Sequence, residues 1–314
     1  MFPTRSVVLA VALVACGGGS SANGDGHAGS DTGSGMQPDA STTFGSTFRF
    51  AIVGDTRPAN EDDTTHYPTT IIDAIWTDVT AASPLPDFAI GTGDYQFSSP
   101  TGTQSGPQLD LYLAARNKFP NVVYSAMGNH ECTGYTDSNC GSGNADGITN
   151  NYTAFMTKML APLGITTPYY VIKFSAKDNS WTAKLVVIAA NAWNSTQASW
   201  LDTTLAQQTT YTFVVRHEDH YANTAPGVTP SETIIANHPY TLKIVGHTHT
   251  YAHYASEHEV ICGNGGAPLT SGLDYGYALI DRLADGTLQF SEYDYATNAV
   301  TDTFKINADG SPAN

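Results

Sequence analysis

Positive charge is what this chain has least of. Its 314 residues include 13 Lys and Arg against 29 Asp and Glu, for a net charge of −16 at pH 7. A sequence-independent nucleic-acid binder needs a cationic face, so this balance tells against one. An acidic protein can still hold a phosphate ester when bound cations reverse the local field. Cysteine is scarce as well. The four present include no C-x-x-C pair, which disfavours a cysteine-based zinc site. Ser125 lacks the Gly-x-Ser-x-Gly elbow of one large class of hydrolases. The apolar run from Val7 to Val14 is too short to cross a bilayer as a mature helix. Core material is plentiful: 41% hydrophobic and 11% aromatic residues suffice for one large α/β domain or two small ones.

The N-terminus reads as a targeting segment, with Arg5 ahead of the apolar run. Leu13-Val14-Ala15-Cys16 resembles a bacterial lipobox, in which the peptide is cut before the Cys and the Cys is lipidated. A plain secretory signal with an incidental Cys is the alternative. Residues 1–16 are assigned to the signal, 17–45 to a flexible Gly/Ser/Asp-rich linker, 46–307 to the folded domain and 308–314 to a C-terminal tail. This reading predicts an exported protein, periplasmic or at the cell surface, held on a bacterial membrane by lipid at Cys16. Export implies an oxidising compartment. Cys132 and Cys140 bracket a short polar loop, and a disulfide between them is the favoured pairing. Cys262 is then unpaired, buried at a strand end.

Along the folded part, apolar runs alternate with helical patterns. Strands are expected at Phe48 to Val53, Asp87 to Gly91, Asn121 to Met127, Thr212 to Val215 and Leu242 to Val245. Helices are expected near Thr69 to Ala82, Gln108 to Lys118, Tyr152 to Leu163, Trp200 to Gln207 and Ser231 to Ala236. Several consecutive strands close the chain. The pattern predicts an α/β fold, rich in sheet with helices outside, whose sites lie beyond the carboxyl ends of strands.

Those strand ends carry chemistry. Asp55, Asp94, Asn129, His217 and the pair His247/His249 each follow an apolar run. Carboxylate, amide and imidazole suit divalent Zn, Mn or Fe. One Asp can bridge two ions, and two ions can clamp a phosphoryl group and make hydroxide at neutral pH. His220 competes with His217 for the fourth position, but His217 follows its strand directly.

Gly54-Asp55, Gly93-Asp94, Gly128-Asn129-His130-Glu131, His217 and Gly246-His247-Thr248-His249, in that order, resemble the motifs of the calcineurin-like metallophosphoesterase superfamily. The resemblance implies a four-layer fold, two packed β-sheets flanked by helices. It implies hydrolysis of phosphate esters by a metal-bound hydroxide on a dinuclear site. Asp55 and His249 would hold the first metal, Asp94 would bridge, and Asn129, His217 and His247 would complete the second. His130 would serve the leaving oxygen. Glu131 would orient its neighbours.

Two departures stand out. Most of the family has Asp-x-His in the first motif, where this chain has Asp55-Thr56-Arg57. Arg cannot ligate a metal, so the first site is short one ligand and is expected to be weak. Arg57 either grips the substrate phosphate or turns outward to Asp62 or Asp63. In the purple acid phosphatase branch a Tyr stands three residues after the bridging Asp; here that position is Phe97. The likeness to that branch is partial, and a purple chromophore is not expected. The alternative to an enzyme is a lipid-anchored surface binding protein that keeps the fold with weak or no catalysis. His238, His253, His258, Tyr251 and the four Trp read as packing or surface residues, and Gly263-Asn264-Gly265-Gly266 as a turn.

Overall fold

The computed structural model describes residues 42–222, 224–270 and 274–314. The signal, Cys16 and residues 17–41 of the expected linker lie outside the described residues. Along the chain, β1 (Thr42–Phe44) and β2 (Arg49–Val53) precede α1 (Thr69–Ala81), and β3 (Phe88–Gly91), α2 (Ser105–Arg116) and β4 (Val123–Ser125) lead to α3 (Asn150–Phe155). Next come β5 (Tyr170–Ala176), β6 (Thr182–Val187), α4 (Ser195–Ala206), β7 (Tyr211–Val215), α5 (Val228–Ile235) and β8 (Leu242–Val245). The last elements are β9 (Tyr251–Tyr254), β10 (Glu259–Cys262), β11 (Gly276–Arg282), β12 (Leu288–Asp294) and β13 (Val300–Ile306).

The strands form two mixed sheets, ordered β13-β12-β11-β2-β3-β4 and β1-β5-β6-β7-β8-β10-β9. An aromatic seam joins their facing sides. Phe88 stacks on Phe174 at 4.7 Å between centroids, and Phe50 meets Phe213 edge-on at 5.1 Å. Side chains alternate across each strand. Thus Phe213 and Val215 enter the central core, while Val214 joins Val186, Leu201, Leu205 and Ile235 beneath α4 and α5. On α1 the buried residues Ile72, Ile75, Trp76 and Val79 follow the i, i+3, i+4, i+7 spacing of one helix face. Lys184 is a buried cation that closes α4. Its Nζ donates to the carbonyls of Thr204 (2.8 Å), Leu205 (3.1 Å) and Gln207, which a helix end otherwise leaves unpaired. β2, β3 and β4 run parallel, as do β6, β7, β8 and β10, so each set gathers its carboxyl ends at one rim.

Three boundaries differ from the sequence reading. Thr42–Phe44, assigned to the linker, forms an edge strand on β5, because the Phe44 ring packs against Phe174 at 5.5 Å. The expected tail, 308–314, folds back: Ala313 N–H donates to Lys305 at 2.9 Å, and Thr241 Oγ1 donates to Ala308 at 2.6 Å. The helix expected from Tyr152 to Leu163 is α only to Phe155. It continues as a π segment and a 3₁₀ turn, closed by Gly164 at φ 73°. No helix among the described residues is long and apolar enough to cross a membrane.

Candidate metal centre

Each motif sits on the turn that leaves a strand. Asp55 leaves β2, Asp94 leaves β3 and Asn129 follows β4, all from one sheet. His217 leaves β7, and His247 and His249 leave β8, from the other. Asp55, Asp94 and His247 take left-handed backbone angles, φ 55°, 55° and 66°. Non-glycine residues avoid this region unless the surroundings hold them there. Gly93, at φ 115°, precedes Asp94; a Cβ there would meet His217 Nδ1 at 2.5 Å. A Cβ on Gly128 would strike the Asp94 carboxylate. Glycine is what lets these turns approach each other.

The donor atoms converge. Asp55, Asp94 and His249 each offer one ligand atom within 4.8 Å of the others, and all three are buried. His249 Nε2 lies 3.6 Å from Asp55 Oδ1. Beside them, His217 Nε2 is 3.2 Å from Asp94 Oδ1, and His247 Nδ1 is 3.2 Å from both Asn129 Oδ1 and His217 Nε2. The far ring nitrogens are spoken for. His217 Nδ1 donates to the Thr92 carbonyl at 2.9 Å, and His249 Nδ1 donates to the Pro268 carbonyl at 2.7 Å. Each bond engages Nδ1 and leaves Nε2 as the ring atom facing the carboxylates, the one a metal ion would take once its proton is released. The residues therefore fit a divalent cation, with Asp94 shared between two groups of ligands.

Electrostatics follow from burial. Burial pushes Asp55 well above the ordinary carboxylate range, against the pull of His217. Burial opposes ionisation of Asp94 too, but His217, His130 and Arg57 outweigh it and hold that carboxyl well below its usual value. Desolvation lowers His130 to about 3 and His247 to about 4, so both rings are neutral at pH 7. His217 is also desolvated, yet Asp94 and Asp55 raise it well above normal.

Glu131 bonds to the backbone of two of these turns. Its Oε2 accepts from the N–H of Asp94 (2.9 Å) and Gly128 (2.8 Å), and Oε1 accepts from Tyr95 (2.9 Å). One buried carboxylate thereby ties the β3 turn to the β4 turn. The structure joins Cys132 to Cys140, with Cα atoms 5.5 Å apart, directly behind this stretch. Cys262 is free and buried.

Arg57 points inward. Its Nε is 3.4 Å from Asp94 Oδ2, and its guanidinium carbon lies 4.9 Å over the Phe97 ring. The outward contacts do not form: Asp62 accepts from Ser99 N–H at 3.0 Å, and Asp63 pairs with His66 at 2.8 Å. Phe97 also meets the His130 ring edge-on at 4.5 Å. His130 Nε2 is 3.8 Å from Asp94 Oδ2, and its Nδ1 is buried without a partner.

Other histidines are engaged elsewhere. His220 pairs with Glu259 at 2.6 Å, His238 with Asp202 at 2.7 Å, and His253 stacks on Phe304 at 3.5 Å. Sequence reasoning missed the supports behind the ligands, the carbonyls of Thr92 and Pro268. It also read Gly263 to Gly266 as a plain turn. That segment runs against the first motif: Gly265 N–H donates to Gly54 at 2.8 Å and Ala267 N–H to the Asp55 carbonyl at 2.7 Å. Three glycines in four residues were the available signal of a close backbone approach.

No family model and no curated protein matches the sequence. Solved structures do match. A purple acid phosphatase from yellow lupin (Lupinus luteus) seeds superposes with a TM-score of 0.59 at 16% identity, over 85% of this chain and 55% of that one. GAP50, the anchor in the inner membrane complex of Plasmodium, gives 0.59 at 14%, over 83% and 89% of the two chains. A dimetal phosphatase from Danio rerio gives 0.56 at 13%, over 83% and 99%. The chain thus spans about half the length of the lupin enzyme. Identities this low speak to architecture, and on that point the layers, the sheet order and the superpositions agree: the chain has the calcineurin-like metallophosphoesterase fold.

Proposed function

We propose that this protein is a metal-dependent hydrolase of phosphate esters acting at a dinuclear site. The observation that carries the reading is the convergence of Asp55, Asp94 and His249 beside Asn129, His217 and His247, with the Nδ1 atoms of His217 and His249 engaged by backbone carbonyls. Bound divalent ions would activate water and neutralise phosphoryl charge. The remaining work falls to the chain. Asp94, between the two ligand groups, holds them in register. Arg57, whose Nη1 donates to the Pro58 carbonyl at 3.1 Å and whose Nε faces Asp94, brings a positive charge to the cleft that suits a phosphoryl oxygen. Phe97 supports the guanidinium face. His130 is neutral by burial, so it serves the departing oxygen by donating an N–H hydrogen bond. Zn, Mn and Fe all suit the donor set.

The test is metal analysis of the full chain together with turnover of chromogenic phosphate mono- and diesters. Metal-dependent turnover that Asp94→Asn abolishes is expected. A folded, metal-loaded chain inert toward every ester overturns the proposal. One observation favours a second reading, a binding protein with weak or no catalysis: Arg57 occupies a metal-ligand position and already pairs with Asp94. Tight phosphate binding without turnover is the outcome that would select it.

The sequence also supports export and anchoring through Cys16. We propose a membrane-tethered location on that basis, testable by lipid labelling of wild type against Cys16→Ser. Nucleic acid is not proposed as a partner, given the net charge of −16.

A further inference from the structure

A second acidic feature lies behind the first-motif loop. A cavity of about 220 Å³ opens where β9 meets β12 and β13, lined by Tyr251, Tyr275, Tyr293, Asn264, Glu292 and Asp302 among others. Glu292 is the unusual member. It is 2% exposed, its Oε1 accepts from Asn264 Nδ2 at 2.8 Å, and its Oε2 is buried with no partner. A buried carboxylate oxygen without a donor is costly, and native proteins rarely leave one so. Glu292 also stands directly across from Asp302 in the β12–β13 pairing, next to a register shift. Like charges at cross-strand positions destabilise a sheet. Tyr251 Oη donates to Asp302 at 2.7 Å, which leaves Glu292 uncompensated. A cation beside Glu292 would compensate the ionised carboxylate that burial otherwise disfavours.

The cavity's side chains do not make a point chelate. Among the described residues, the trio of carboxylate and imidazole atoms close enough to share one ion is Asp55, Asp94 and His249. Three tyrosines and four acidic residues, Asp274, Glu292, Asp294 and Asp302, line the cavity, a set that matches an organic ammonium, which is attracted to aromatic faces and to negative charge. The volume is below that of a drug-sized site and suits a small head group.

We propose that this cavity is a binding site for an organic ammonium group, with Glu292 as its counter-ion. The site goes beyond the hydrolase reading and does not depend on it. Its position gives it a route to the metal centre. Asn264 stands in the Gly263 to Gly266 segment whose neighbours hold the Gly54 and Asp55 backbone, and Pro268, which fixes His249, follows. Burial pushes Glu292 up to about 8, consistent with a carboxyl that lacks a neighbouring positive charge.

The experiment titrates the full chain with choline, with its neutral isostere 3,3-dimethyl-1-butanol and with calcium chloride, followed by calorimetry and thermal shift. Choline should bind saturably and raise the melting temperature, while the neutral alcohol and calcium should not compete. Glu292→Gln, which keeps the side-chain shape, should weaken choline by roughly tenfold or more, the order expected for losing a buried charged partner. The partly exposed Asp302→Asn should weaken it less. Asp55→Asn, which alters the metal centre, should leave choline binding intact. Equal binding of the neutral alcohol, displacement by calcium, choline affinity unchanged in a folded Glu292→Gln, or loss of binding in Asp55→Asn would each overturn the assignment.

Discussion

Replacing Arg57 by His is the most informative single change to this protein. The guanidinium sits 3.4 Å from Asp94 Oδ2, where its attraction competes with any cation that the same oxygen would ligate. At that distance and an effective dielectric of about 20, two unit charges interact by about 5 kcal/mol. The Arg57 side chain is 15% exposed. Screening and lost hydration reduce the net figure to on the order of 2–3 kcal/mol. Removing that competitor therefore raises first-site affinity by roughly 30- to 150-fold, before any gain from the new imidazole donor. Arg57→His should raise the metal content of dialysed protein relative to wild type, and calorimetry should show the tighter binding event. Activity is a separate readout. If Arg57 grips the phosphoryl group, the variant gains metal but loses affinity for phosphate. Unchanged or lower metal content would refute the competition argument outright.

Other changes test other parts. His130→Ala should lower kcat by about 10²- to 10⁴-fold while metal content stays the same, as read by turnover and elemental analysis. Opening the Cys132–Cys140 bridge with paired Ser substitutions should cost roughly 2–3 kcal/mol in denaturant unfolding, the loop-closure entropy of so short a loop. Lys184→Met leaves the α4 carbonyls without their donor and should cost about 2–3 kcal/mol by the same assay. Glu292 has a folded-state pKa near 8 against an ordinary 4.5, with burial as the leading cause. Between those values the unfolded chain has released a proton that the folded chain still holds, so stability falls as pH rises from 4.5 to 8 and levels off above. The fall should amount to a few kcal/mol, and Glu292→Gln should flatten it in melts recorded across that range.

The convergence of the candidate ligands on one rim was legible because these residues follow buried strands. Asp55 comes two residues after β2, His217 two after β7 and His247 two after β8, so periodicity alone places them on one rim. What holds them was not legible. The carbonyls of Thr92 and Pro268 act through backbone atoms, which no residue letter advertises. The direction of Arg57 was equally hidden. It depends on Phe97, 40 positions away in sequence, offering a ring face, and on Ser99 and His66 taking the acidic residues it could have met. β9 escaped notice because Tyr-Ala-His-Tyr at a sheet edge is half-buried throughout and shows no alternation.

The division of ligands between two sheets has a mechanical meaning. Asp55, Asp94 and Asn129 belong to one sheet and His217, His247 and His249 to the other. A cation held by both sets is a rivet through the sandwich, fastened at the rim where the aromatic seam gives out. Each tenfold in metal affinity then adds about 1.4 kcal/mol to the folded state once the metal is in excess. The left-handed turns at Asp55, Asp94 and His247 are the strained fittings that such a rivet would keep shut. On this view the supply of metal would set the protein's lifetime as well as the chemistry proposed for it. Stripping the ions should loosen the grip of one sheet on the other before it unravels either.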